Sequence, residues 1–253
     1  MKVSCVCCTY GRFTVLERSI ACWIRQDYDN KELIIFNTAK VPLSLSSSLQ
    51  KENITVVNST KLYLSLGEVR EDALKHINGD VYICWDDDDL FLPWHIKDGV
   101  ERMKLLNKEA WMPKFSYFSQ NGGRTYVKAQ NAMEASVLVN VKKVLQYGFS
   151  HESGAEHLPW RNGIVQDGTL IVEDVEPSYA YVWGDALAPH KTSGNINNPS
   201  NFRNHMDKSV NFGDCPLEAW GWGSLRLYFQ NILECFPEAK KLKKVLDFYR
   251  DMV

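Results

Sequence analysis

Four consecutive carboxylates, Asp86, Asp87, Asp88 and Asp89, end a short apolar run in residues 80–93, DVYICWDDDDLFLP. Residues 81–85 are rich in β-formers and predict a buried strand, and Pro93 stops any continuing ladder. In extended backbone alternate side chains share a face. Asp86 and Asp88 are therefore expected to converge on one point while Asp87 faces elsewhere. Two oxygen ligands at a strand end suit a hard divalent cation, Mn2+ or Mg2+, that takes its remaining ligands from water and substrate phosphates. The plainer reading is a solvated acidic loop or a helix start. Four acids fused to a buried strand repel one another at short range, which favours the cation.

These carboxylates need elements to position them. Residues 3–8 predict a first buried strand that breaks at Thr9, Tyr10, Gly11 and Arg12, where the glycine permits positive φ. Thr14 is placed to cap a helix reaching residue 26, with Val15, Ile20, Cys22, Trp23 and Ile24 as its apolar stripe. Strands at 32–36 and 54–57 and a helix over 66–77, stopped by Asn78 and Gly79, lead into the aspartate strand. This order predicts an α/β sheet, mostly parallel, with ligands at the carboxyl ends of its strands. Further on, helices are expected at 93–107 and 141–147, strands at 135–139, 170–173 and 178–182, and a turn at 121–123. Residues 150–163 read as a loop into a short helix. Residues 184–214 are Asn/Pro/Ser-rich and weakly periodic, the mark of a functional or mobile loop. Amphipathic helices over 217–235 and 238–249 close the chain.

The 253 residues suffice for one sizeable core. A net charge of −2 and a pI near 6.3 give no field drawing the chain to nucleic acid or anionic membrane. No apolar stretch approaches a membrane span, and the N-terminus reads as a strand, not a signal peptide. Seven cysteines without zinc spacing, several in apolar runs, point to a reducing cytoplasm. Nothing in the sequence sets the oligomeric state.

Taken together these residues resemble the family 2 glycosyltransferases. Residues 3–12, VSCVCCTYGR, are similar to that family's opening strand and nucleotide loop. LERSI at 16–20, QDY at 26–28 and ELII at 32–35 are similar to its first helix and second strand. Residues 67–79, which contain Arg70, are similar to the helix before the metal strand. Asp86, Asp88 and Asp89 with Pro93 match its metal motif, and residues 135–149 its acceptor-side strand and turn. The resemblance implies a GT-A (Rossmann-like) sheet flanked by helices, with a C-terminal helical appendage. Residues 1–195 would form the transferase domain, 1–93 the nucleotide-sugar half and 94–195 the acceptor half, with 196–253 packed on it.

The implied activity is metal-dependent, inverting transfer from a nucleotide sugar, UDP-sugar by default. The acceptor hydroxyl would belong to a saccharide, a glycolipid or a modified DNA base. Thr9, Tyr10, Arg12, Asn37, Arg70, Asp86 and Asp87 are expected at the donor, and Asp88, Asp86 and His190 at the metal. Two positions depart from the family. Asn37 and Thr38 stand where two aspartates usually end the second strand, and an Asn carbonyl still accepts from a base N–H. Glu156 and His157 stand at the usual Glu-Asp pair, so the base is Glu156 or His157, or else Asp167 or Glu173 nearby. Trp160, Trp183, Trp220 and Trp222 are candidates to stack on an acceptor or to pack the core. The lysines of 240–244, KKLKK, read as the wet face of a helix, or as a contact for a phosphate-bearing acceptor. Two rivals remain: a non-catalytic nucleotide-sugar-binding module, and a nucleotidyltransferase. The latter lacks its expected Gly-rich loop with a Lys after the first strand.

Overall fold

The computed structural model describes residues 1–184 and 221–250. At its centre lies β1 (Val3–Thr9), parallel to β2 (Lys31–Asn37) on one side and to β4 (Val81–Cys84) on the other. β3 (Ile54–Asn58) extends the sheet parallel to β2. Beyond β4, β9 (Leu138–Asn140) runs antiparallel to both β4 and β6 (Ala110–Pro113), and β10 (Leu170–Glu173) lies parallel to β6. The order is β10-β6-β9-β4-β1-β2-β3, a mostly parallel sheet as expected.

Both faces of this sheet are buried, which is why its strands read as continuous apolar runs. Cys5 and Cys7 of β1 and Leu33 and Ile35 of β2 share a core with Leu16 and Ile20 of α1 (Phe13–Ile24) and Ile96 and Val100 of α3 (His95–Leu105). Val6 and Ile34, one residue out of step, face the opposite core. That core holds Val69 and Ala73 of α2 (Leu66–Leu74), Val144 of α4 (Val141–Tyr147), and Trp160 and Ile164 of α5 (Leu158–Gln166). The two-residue period of the strands thus sorts side chains between two helical layers.

A second, four-stranded sheet is ordered β5 (Leu90–Phe91), β11 (Tyr179–Val182), β7 (Phe115–Ser119), β8 (Val127–Gln130). Because β5 immediately follows the aspartates, the acidic run is pinned between the two sheets. The C-terminal helices α6 (Trp222–Cys235) and α7 (Lys240–Arg250) are more than an appendage. Trp222, Leu225, Phe229 and Ile232 are buried in the same core as Leu16 and Ile20. Lys240, Lys241, Lys243 and Lys244 lie on the exposed face of α7, Lys241 2.6 Å from Asp98.

Several boundaries differ from expectation. α1 starts at Phe13 with Arg12 at its N-cap, so Thr14 lies inside the helix. α2 ends at Leu74, because the amides of residues 75–77 bond three residues back in a tightened turn. Residues 134–136 form a 3-10 turn, and the strand expected at 135–139 starts only at Leu138. β5 and β6 were not expected: two and four residues are too short to show a period. No helix among the described residues is long and apolar enough to cross a membrane.

Candidate active site

β1, β2 and β4 run parallel, so their carboxyl ends share one edge, with Thr9 level with Asn37. After Thr9 the chain turns at Gly11, whose φ of 74° favours glycine, and delivers Arg12 to the start of α1. β4 has ended by Trp85, and Asp87 and Asp88 lie in a turn. The strand alternation therefore stops short, and Asp87 and Asp88 share one partner, Arg12. Thr9 Oγ1 donates to Asp87 Oδ2 at 2.7 Å. Arg12 Nη1 donates to Asp88 Oδ2 at 2.6 Å, and its Nη2 pairs with Asp87 Oδ1. From α1, Arg18 Nη2 and Ser19 Oγ donate to the main-chain carbonyls of Asp88 (2.7 Å) and Asp86 (3.2 Å). Asp89 turns away and accepts from the Tyr179 hydroxyl and the Val182 amide of β11.

Asp86 is the aspartate open to solvent, with its side chain 29% exposed. Its Oδ1 lies 3.3 Å from Arg70 Nη2. Burial raises the carboxyls of Asp86 and Asp87 above the ordinary range, Asp87 to about 6 against the opposing pull of Arg12. The repulsion of Asp88 adds to both shifts.

Arg70 projects from α2, is buried, and lies 2.9 Å through Nε from Glu156 Oε1. Its Nη1 meets the Cys84 thiol. Glu156 Oε2 accepts from the Gly154 amide at 2.9 Å. The loop carrying Glu156 docks on the start of α2, where the Gly67 amide donates to the Glu152 carbonyl and the Leu66 amide donates to Ser153 Oγ. A Cβ on Gly67 would sit 1.9 Å from the Ser150 carbonyl oxygen, so only glycine permits this approach. His157 stands at the N-cap position of α5 without a side-chain capping bond, its Nδ1 3.3 Å from Glu134 Oε1. Burial lowers the His157 imidazole, which favours the neutral ring.

A cleft of about 720 Å³ opens beside Arg70 and Asp86, with Ser153 of the Glu156 loop on its wall and Glu156 and His157 outside its lining. Of the residues expected at the donor, Thr9, Tyr10, Arg12, Arg70 and Asp86 line it. Asp87 lies behind them, 1% exposed. Asn37 is a correction. It is fully buried, its Nδ2 donating to the Val41 carbonyl and Asn58 Oδ1 and its Oδ1 accepting from the Ala39 amide. Its side chain shapes the loop instead of facing the cleft. Thr38, beside it, lines the cleft with Lys40, Lys61 and Tyr63, and no spacing in the sequence marks the last three.

The alternative bases are remote in function. Asp167 is held by Lys143 and the Tyr147 hydroxyl, and Glu173 by Arg102 and Trp111 Nε1. Trp160 and Trp222 are core residues, and Trp183 is half-buried beside Tyr181. His190 and Trp220 lie outside the described residues. Glu134 was not anticipated. It sits in an aperiodic turn, and only folding brings it to His157.

Residues 4–158 match the family model described as Glycosyl transferase family 2. The chain belongs to glycosyltransferase family 2. The matched region runs from the opening strand to His157 and contains every described residue expected at the site. A glycosyltransferase of Bacillus subtilis (strain 168), YwdF, is 32% identical over 130 residues, which are 49% of this chain and 47% of that protein. The chain thus spans about half the length of that relative.

Two solved structures share the fold. S. aureus TarS 1-349 in complex with UDP-GlcNAc has a TM-score of 0.59 at 15% identity, covering 98% of this chain and 71% of that one. The mannosyltransferase PcManGT from Pyrobaculum calidifontis, in complex with GDP-Man and Mn2+, has a TM-score of 0.54 at 13% identity, covering 99% and 82%. The family 2 chain thus has the GT-A architecture expected of it.

Proposed function

We propose that the protein transfers a sugar, with inversion, from a nucleotide donor to an acceptor hydroxyl of a saccharide or glycolipid. The observation that carries this reading is the cleft at the carboxyl ends of β1 and β4, where Asp86 opens beside Arg12, Arg70 and Thr9. The nucleotide fits this cleft, with its base between residues 38–40 and 59–64 and its diphosphate toward Arg12 and Asp86. UDP is the default nucleotide, in line with the UDP-GlcNAc bound by the TarS neighbour.

The donor set fits a divalent cation. Asp86 presents a partly exposed carboxylate, and Asp88 two residues on offers a second hard oxygen. Mn2+ is the first candidate, as in the PcManGT complex. Asp86 and Asp88 would hold the ion, which when bound neutralises the leaving diphosphate as a Lewis acid. Arg12 already neutralises Asp87 and Asp88 and is close enough to share that task.

The acceptor must lose a proton to a positioned base. Glu156 is committed to Arg70 and the Gly154 amide. His157, whose imidazole burial pushes toward the neutral form and whose Nδ1 lies 3.3 Å from Glu134 Oε1, is the better base. The lysines of α7 are not among the cleft residues, so a DNA acceptor has no support from this arrangement.

The test is a panel of nucleotide sugars scored for nucleoside diphosphate release, with Mn2+, Mg2+ or chelator. Release from one donor, lost with chelator and in Asp88→Ala, is expected. No release, with no thermal stabilisation by any nucleotide sugar plus metal, would overturn the proposal.

A further inference from the structure

We infer that Glu134 is a positioning residue for His157, the two forming a carboxylate–imidazole pair that takes the acceptor proton. This rests on the sugar-transfer reading above. The pair is assembled from two distant segments: Glu134 from the 3-10 turn before β9, and His157 from the N-cap of α5. Nδ1 lies 3.3 Å from Glu134 Oε1 and is buried, and it makes no hydrogen bond among the described residues. Glu134 is thus the acceptor placed to receive its N–H. Such contacts are commonly loose before substrate binds and tighten afterwards.

Other charged groups also face the ring, Glu156 foremost. Glu156 and Asp86 are both held by Arg70, and Arg161 follows on the same helix. The ligand atoms of Glu134, Glu156 and His157 lie within 4.8 Å of one another. The Arg70 guanidinium on Glu156 supplies the positive charge that such a cluster needs. A proton on Nδ1, shared with Glu134 once the 3.3 Å contact tightens, leaves the lone pair on Nε2. In the transfer, Nε2 takes the acceptor O–H proton as that oxygen bonds the anomeric carbon. The bond from that carbon to the diphosphate oxygen breaks, and the electron pair leaves with the nucleoside diphosphate. The imidazolium, stabilised by Glu134, then returns its proton to water.

The test compares Glu134→Gln, His157→Asp and the double variant. Glu134→Gln is expected to lower kcat by roughly 10- to 100-fold, less than the ~100- to 10,000-fold of a lost general base, with donor KM and donor-induced thermal stabilisation unchanged. Removing the anion lowers the imidazole pKa, so the acid limb of kcat/KM moves to lower pH. In the His157→Asp background, where the base is itself a carboxylate, adding Glu134→Gln should cost nothing. An equal loss in both backgrounds, or an unmoved acid limb, would overturn the inference. Independently of activity, nitrogen NMR of the histidine rings should find His157 as the Nδ1–H tautomer, with its midpoint lowered in Glu134→Gln. The Nε2–H tautomer, or an unmoved midpoint, would overturn the pairing. Absence of any transfer by the unmodified protein would instead count against the sugar-transfer reading.

Discussion

Arg70 lies 2.9 Å from Glu156, and the same guanidinium reaches Asp86 at 3.3 Å. One buried cation therefore ties the acidic run at the end of β4 to the loop that leads into α5. Removing it leaves Glu156 a buried carboxylate without its cation and strips Asp86 of its partner. Arg70→Ala should destabilise the fold by about 3–5 kcal/mol, the usual effect of breaking a buried ion pair. Arg70→Lys should recover only part of this, because a single ammonium cannot match the planar fork. Denaturant titration of both variants checks the order.

Metal dependence is readable without catalysis. Mn2+ with UDP at 100 times its dissociation constant should stabilise the protein by about 2.7 kcal/mol. Chelator should abolish the shift. Asp86→Asn, which keeps shape and loses charge, should weaken it at least tenfold in apparent affinity while leaving the unliganded melting temperature nearly unchanged. Thermal melts across a metal titration measure both.

Gly67 tests the docking of the loop that carries Glu156. A Cβ there meets the Ser150 carbonyl at 1.9 Å, whereas one on Gly223 meets nothing within 4 Å. Gly67→Ala should cost about 1–3 kcal/mol, as overpacking does, and should lower transfer activity through displacement of Glu156 and His157. Gly223→Ala, in α6, should instead stabilise by about 0.4–1 kcal/mol. Paired unfolding curves decide this.

His95 gives the stability a pH dependence. It is fully buried, with Nδ1 2.8 Å from Ser178 Oγ, and burial lowers its pKa from 6.5 to about 3. Between those values the unfolded chain binds a proton that the folded one does not, so stability falls as pH drops below 6.5. The slope is about 1.4 kcal/mol per pH unit, or roughly 2 kcal/mol lost by pH 5. His95→Gln should be less stable at pH 7 but flatter by that slope between pH 7 and 5. Chemical denaturation at four pH values is the measurement.

The sheet was legible because its strands are buried on both faces and read as apolar runs. The helices of the first half were legible because their stripes face one core. Thr9, Arg12, Arg70, Asp86 and Asp88 were legible because they flank strand ends or sit one helix away, where local order already dictates the edge they reach. Asn37 was misread because its chemistry suits a base contact equally well as a loop brace. Only the neighbouring Asn58, Val41 and Ala39 decide which it does.

The amino-acid sequence by itself determined the α/β class, the acidic turn after β4 and the family, since these depend on periodicity and contiguous residue types. Tertiary structure alone decided the partners. It gave Asp87 and Asp88 to Arg12, Asp86 and Glu156 to Arg70, Asp89 to β11, and Glu134 to His157. The physical reason is range. Patterning acts over a few residues, whereas the pairing of a buried charge is chosen by whichever opposite charge or donor the packed layers bring within a few ångströms, and no local spacing encodes that choice.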